Sequence, residues 1–160
     1  MLALIGGTGL NTLEGIGGFD LLHKEEIATP FADTQIQLSR YVYAGTELLF
    51  IPRHGDGHVV PPHRINYRGN IDALRLAGAT RVVAMNAIGG IAHELCPGAI
   101  AIPEQLIDYS YGRISSFYED NLEGVVHIDF GEPYNQELRQ ALLEAAARVN
   151  AGRQQPAAVI

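Results

Sequence analysis

Leu48-Leu-Phe-Ile-Pro-Arg-His-Gly-Asp-Gly-His-Val-Val-Pro-Pro-His-Arg-Ile-Asn-Tyr-Arg-Gly-Asn70 decides how this chain folds. Its apolar start, continuing the run from residue 47 to 52, reads as a strand. The loop that follows concentrates three histidines and three arginines within residues 51–70. Beyond Pro61-Pro62, residues 65–77 carry Ile71, Leu74 and Ala77 at helical spacing, and Gly78 is placed to close that helix. Arg81-Val-Val-Ala-Met85 is a further strand. Residues 47–85 therefore form a strand–loop–helix–strand unit with parallel strands, which indicates an α/β fold. The cationic loop leaves the carboxyl end of a strand, where open α/β sheets bind ligands.

Working outward, Leu2-Ala-Leu-Ile5 is a buried strand that runs into Gly6-Gly-Thr-Gly9. Residues 18–27 and 35–43 alternate as strands, with Thr29-Pro30 as the break between them. Downstream, residues 98–102 and 105–109 have the composition of short strands. Asn135 is set to cap a last helix with Leu138, Leu142, Ala146 and Val149 along one face. Pro156-Ala-Ala-Val-Ile160 reads as the entry to a new strand, which suggests a longer native chain. There is no repeat, low-complexity tract or linker, so residues 1–160 are expected to form a single domain.

Composition narrows the partners. The formal net charge of −7 argues against a general nucleic-acid binder, because affinity for a phosphate backbone needs a basic face. No apolar run is long enough to span a bilayer, and no basic leader precedes an apolar core. The single cysteine, Cys96, excludes an internal disulfide and fits a reducing cytoplasm. Small polar metabolites are the class of partner that remains.

Within an acidic chain, the cationic loop suits a small anion, because arginine offers a planar fork of donors that matches phosphate or carboxylate. Arg53 is positioned to fork two phosphate oxygens, and His54 to donate another hydrogen bond. Gly6-Gly-Thr-Gly9 can turn backbone N–H groups onto an anion, with the Thr8 hydroxyl as an extra donor. It fits neither the Walker pattern nor the dinucleotide fingerprint, and a plain tight turn is the competing reading. Solvated surface charge is the alternative for Arg53 and His54. His54, His58 and His63 raise a metal reading, but Gly55, Gly57, Pro61 and Pro62 oppose the helix that an i, i+4 histidine pair needs. Asn86-Ala-Ile-Gly-Gly90 ends a strand in a small-residue turn, open to a ligand or simply structural. His127 lies in an apolar segment where a structural role competes with a binding one, and Cys96 has no activating base nearby.

Taken together and in order, these motifs resemble the purine nucleoside phosphorylase family, in the branch that cleaves methylthio-nucleosides. The matching residues are Ile5-Gly-Gly-Thr-Gly-Leu10, Thr29-Pro-Phe31, Arg53-His-Gly55 with His58, Pro61-Pro62-His63 and Ile65-Asn-Tyr-Arg68. They continue through Ala73-Leu74, Asn86-Ala-Ile-Gly-Gly90, Gln105-Leu-Ile-Asp-Tyr109, His127-Ile-Asp-Phe130 and Glu132-Pro-Tyr134. The resemblance implies a three-layer sandwich around a mixed sheet, apparently truncated at its C-terminus. It also implies a cytoplasmic homotrimer with shared sites, inorganic phosphate as co-substrate and no metal or organic cofactor. It implies phosphate binding by Thr8, Arg53, His54 and Ala87, and substrate binding by Asn86 and His127, the latter reaching the 5′ end of the ligand across a subunit boundary. The implied reaction is phosphorolysis of S-methyl-5′-thioinosine, with methylthioadenosine or an ordinary purine nucleoside as alternatives and an inactive fragment as the non-enzymatic one. Two positions depart from the pattern: Asn86 stands where methylthioadenosine enzymes often have Thr, and Gly131 where bacterial relatives usually have Ser or Thr. The family's Gly-Met-Thr segment and its purine-reading Asn or Asp have no counterpart before Ile160. No catalytic acid or base is therefore assignable within these residues.

Overall fold

A computed structural model describes residues 1–119 and 122–151, with nothing to be said of the side chains of 150 and 151. The chain divides into two compact units, residues 1–87 with 112–119, and residues 88–111 with 120–160. In the first unit β1 (Leu2–Gly6), β2 (Phe19–Ile27), β3 (Ile36–Tyr43), β4 (Thr46–Pro52) and β5 (Arg81–Met85) form one mixed sheet in the order β2-β3-β4-β1-β5. β1 runs parallel to both β4 and β5, while β3 is antiparallel to β2 and β4. The helix α1 (Tyr67–Leu76) connects β4 to β5, so the strand–loop–helix–strand unit is present with β1 inserted between its two strands.

β4 is buried on both faces, which is why it reads as a continuous apolar run instead of alternating. Leu49 and Ile51 join Ala3 and Leu38 against Ala73 and Leu74 of α1. Leu48 and Phe50 join Tyr41 on the opposite side, where Leu13 from the loop after β1 fills the layer. Each such side chain contributes about 1.5–3 kcal/mol when fully buried. Tyr41 is buried, and its hydroxyl meets Thr12 Oγ1 at 3.1 Å, fastening that loop to the sheet.

Asn66 caps α1: its Oδ1 accepts from Gly69 N at 2.8 Å, and its Nδ2 donates to Phe31 O at 2.7 Å. At the other end Gly78 takes φ 94, with Gly78 N bonded to Arg75 O and Ala79 N to Leu74 O, a Schellman closure that needs the left-handed glycine. The buried face of the helix is Gly69, Asp72, Ala73 and Leu74, with Ala77 packed against the core; of the expected stripe Leu74 and Ala77 face inward, while Ile71 is 41% exposed. Ile71 lies about 200° around the helix from Ala73, which packs with Leu74 against the sheet.

Asp72 is the buried polar group of this packing. Thr29 Oγ1 donates to its Oδ2 at 2.6 Å, and Arg75 Nε donates to its Oδ1 at 2.9 Å. Thr29 Oγ1 in turn accepts from Phe31 N at 3.3 Å, so α1 is tied to the loop between β2 and β3. The Thr29 hydrogen bond holds the Asp72 carboxyl below its ordinary value; burial opposes this, and Arg75 adds to the lowering.

In the second unit, α2 (Gln136–Ala151) starts as expected, with Leu138 N donating to Asn135 Oδ1 at 2.8 Å. Ala146 is buried, Leu138 and Leu142 are half-buried, and Val149 is exposed. The strands expected over 98–102 and 105–109 are absent, apart from an isolated bridge residue at Ile100. Side chains satisfy the backbone there instead: Leu106 N donates to Gln105 Oε1, and Ser110 N to Asp108 Oδ1, both at 2.8 Å. Ile107 and Tyr109 are 76% and 85% exposed, so no buried face offsets the cost of extending the chain. The expected strand at Pro156–Ile160 lies outside the described residues.

Two stability predictions follow from this packing. Asp72 has a folded-state pKa below its unfolded one, so its contribution is present above the ordinary carboxylate range and is lost as pH falls through the lowered value. Asp72→Asn is expected to cost about 1–3 kcal/mol in urea unfolding at neutral pH and to flatten the acid limb of the stability profile; parallel profiles for both proteins would refute this. The β3–β4 hairpin turns through Ala44 and Gly45, both at positive φ (49° and 77°), and Ala44 carries its Cβ into the left-handed region. Ala44→Gly is expected to raise stability by roughly 0.5–1 kcal/mol, read as an increase in melting temperature.

Candidate anion site at the carboxyl ends of three parallel strands

Gly6 of β1 lies level with Pro52 of β4 and with Met85 of β5. The residues that follow, Gly7, Arg53 and Asn86, therefore leave the same edge of the sheet side by side. Arg53 N donates to Gly6 O at 2.8 Å, and Leu10 N to Gly7 O at 3.0 Å, closing a tight turn in which Gly9 has φ 86. A Cβ on Gly7 would stand 2.6 Å from Met85 O and 2.9 Å from Arg53 Nη2. The absence of a side chain is what lets the glycine turn lie against the guanidinium. Thr8 is the next residue and is exposed.

Neutral groups fix Arg53. Its Nη1 donates to Asn86 Oδ1, and its Nη2 lies 3.4 Å from His54 Nε2. His54 is buried, with Nδ1 2.8 Å from Val60 O. A carbonyl can only accept, so Nδ1 carries the proton, and in the neutral ring Nε2 is the lone pair facing Arg53. His54 thus backs the guanidinium, with its ring held by the Val60 carbonyl. Arg53 Nε is buried and has no hydrogen-bond partner among the described residues.

His58 stacks on His54 with ring centroids 4.4 Å apart and donates from Nδ1 to Asn11 Oδ1 at 3.2 Å. Asn11, His58 and the Val60 carbonyl are supports that sequence reasoning missed. Any residue supplies a carbonyl, so nothing at position 60 marks it, and the Asn11–His58 pair spans 47 positions. The Gly6-Gly7 doublet was the one visible signal of a close approach.

Thr8, Arg53, His54, Asn86 and Ala87 all belong to the first unit, whereas His127 belongs to the second and is exposed. Among the described residues no group of three or more His, Cys, Asp or Glu side chains could hold a metal ion. The Arg53 guanidinium lies against the Gly7 turn, with Thr8 next in sequence; guanidinium N–H groups and glycine turns are donors that suit an oxyanion.

Residues 2–158 match the Phosphorylase superfamily. The chain is 43% identical to a probable S-methyl-5′-thioinosine phosphorylase of Xanthomonas campestris pv. campestris, over 91% of its own length and 57% of the relative's. It is 40% identical to a probable 6-oxopurine nucleoside phosphorylase of Moorella thermoacetica, over 92% and 55% of the two lengths. The fold matches a mutant adenosine/methylthioadenosine phosphorylase of Schistosoma mansoni in complex with adenine, with TM-score 0.82 and 33% identity, covering 92% of this chain and 52% of that one. The chain thus spans a little over half the length of these proteins, and it is an α/β protein that belongs to the phosphorylase superfamily.

Proposed function

We propose that this chain carries the phosphate-binding part of a purine nucleoside phosphorylase that cleaves S-methyl-5′-thioinosine to hypoxanthine and 5-methylthioribose 1-phosphate. The observation that carries this reading is the way Arg53 is held. Arg40, Arg68, Arg75 and Arg139 each pair with a carboxylate: Glu25 and Glu47, Glu119, Asp72, and Glu104 respectively. Arg53 is fixed instead by an amide and an imidazole and has no ion-pair partner among the described residues. Its charge is positioned but not neutralised, as an anion site requires.

In the proposed reaction Arg53, Thr8 and the backbone around Ala87 hold inorganic phosphate, and Asn86 also faces the sugar. A phosphate oxygen attacks the anomeric carbon as the bond to the purine nitrogen breaks. The bonding electrons leave with the purine, which takes up a proton. The anion beneath the sugar stabilises the cation-like ribosyl centre and supplies proximity. His127 contacts the 5′ end of a neighbouring subunit's ligand in a homotrimer. The protein works in the cytoplasm with neither metal nor organic cofactor. The thioinosine preference rests on the relatives at 43% identity. Methylthioadenosine is the second reading, favoured by the likeness to the Schistosoma mansoni enzyme.

The assay is phosphate-dependent release of base. Hypoxanthine released from methylthioinosine faster than adenine from methylthioadenosine is the expected result; the reverse order selects the second reading. Phosphate-independent release sinks both, and release from neither nucleoside by residues 1–160 selects the inactive fragment. Arg53→Ala is expected to raise the KM for phosphate about tenfold or more, with little change in that for the nucleoside. Gly7→Ala should act in the same direction without removing a charge, because its Cβ would displace the guanidinium. Equal effects on both KM values would remove Arg53 as a dedicated phosphate ligand.

A further inference from the structure

A cleft of about 570 Å³ in the first unit lies outside the machinery just described. Its walls come from the β2–β3 loop (Phe31 and Asp33), the segment entering α1 (His63, Arg64 and Tyr67) and the 112–114 segment (Arg113). Arg68 also lines it, but its guanidinium is committed to Ser116 O at 3.1 Å and to Glu119 at 3.3 Å. Arg64 and Arg113 are different. Arg64 is exposed and has no ion-pair partner among the described residues. Arg113 Nη1 donates to Tyr67 Oη at 2.9 Å, and its guanidinium carbon sits 4.7 Å from the centre of the Tyr67 ring. A neutral group therefore holds Arg113, as with Arg53, and leaves its charge intact.

Among the described residues lining the cleft Asp33 is the only carboxylate, and the first turn of α1 contains no acidic residue. Two guanidinium groups without an ion-pair partner and one carboxylate among the described lining residues, in a chain of net charge −7, make a local excess of positive charge. The Tyr67 hydroxyl and ring preorganise one of the two, which lowers the ordering cost of binding. The volume is that of a small-molecule site, larger than a single phosphate needs.

We propose that this cleft binds a multiply charged phosphate compound of nucleotide size through Arg64 and Arg113, at a place separate from the Arg53 site. The proposal does not depend on the reaction assigned above, because it rests on other residues. Arginine forks paired with phosphate oxygens are the chemistry that would recognise the ligand.

The test is calorimetric titration of the full chain with inorganic triphosphate at low and moderate salt, repeated on Arg64→Ala, Arg113→Gln and Arg53→Ala. Circular dichroism melts confirm that each variant is folded. Binding that weakens at least about tenfold in Arg64→Ala and Arg113→Gln but persists in Arg53→Ala is the expected result. Unchanged binding in Arg64→Ala overturns the proposal. So does loss confined to Arg53→Ala, which would assign the anion to the phosphate site. No measurable binding by the parent chain overturns it as well, leaving surface arginines that are merely solvated.

Discussion

The in-register parallel pairing of β1 with β4 and β5 is the constraint on which the rest of the structure depends. It sets Gly6, Pro52 and Met85 level, so that three turns far apart in sequence begin at one edge. A slip of one residue in either ladder would turn the following side chain to the other face of the sheet. The burial of β4 on both faces resists such a slip: Leu49 and Ile51 are claimed by α1, and Leu48 and Phe50 by the layer containing Leu13 and Tyr41. Core packing thus sets the register, and the register brings Gly7, Arg53 and Asn86 to one edge.

The second constraint is polar. Asp72 joins α1 to Thr29, and Asn66 joins the entry of the same helix to Phe31. These bonds fix the β2–β3 loop against the helix and so shape the cleft between them. A buried carboxylate met by a hydroxyl and a guanidinium costs little to keep ionised, whereas the same carboxylate without partners would be strongly destabilising. Asn66 and Phe31 line that cleft, and the Thr29–Asp72 bond holds the segments beside it.

Much of this was legible in the sequence, for physical reasons that can be located. The apolar run at 48–51 and the glycine at 78 each report a local constraint, burial on two faces and a left-handed turn, so β4 and the end of α1 were readable. Arg53 and Asn86 were readable as strand-end residues. Their hydrogen bond was not, because it depends on β1 entering between two strands that are adjacent in sequence order. Residues 105–109 misled because apolar composition reports a preference for burial and cannot supply the partner strand. Ile71 misled because helical spacing alone does not say which edge of the apolar stripe meets the sheet, and Ala73 with Leu74 takes that place. The setting of His54 was not readable, because its ring is held by a carbonyl six positions away.

The identity of residue 86 shows why a neutral partner matters. An aspartate there would hold the guanidinium at least as firmly, since charge-assisted pairs are about twice as strong as neutral ones. It would also cancel the charge and place a carboxylate against any incoming anion, where like-charge repulsion grows as water is excluded. An amide orients without neutralising, and a histidine protonated on Nδ1 presents a lone pair in the same way. Between them Asn86 and His54 occupy two of the five guanidinium donors and leave the cation its full charge. Firm positioning at low electrostatic cost is what distinguishes Arg53 from the arginines that serve the fold.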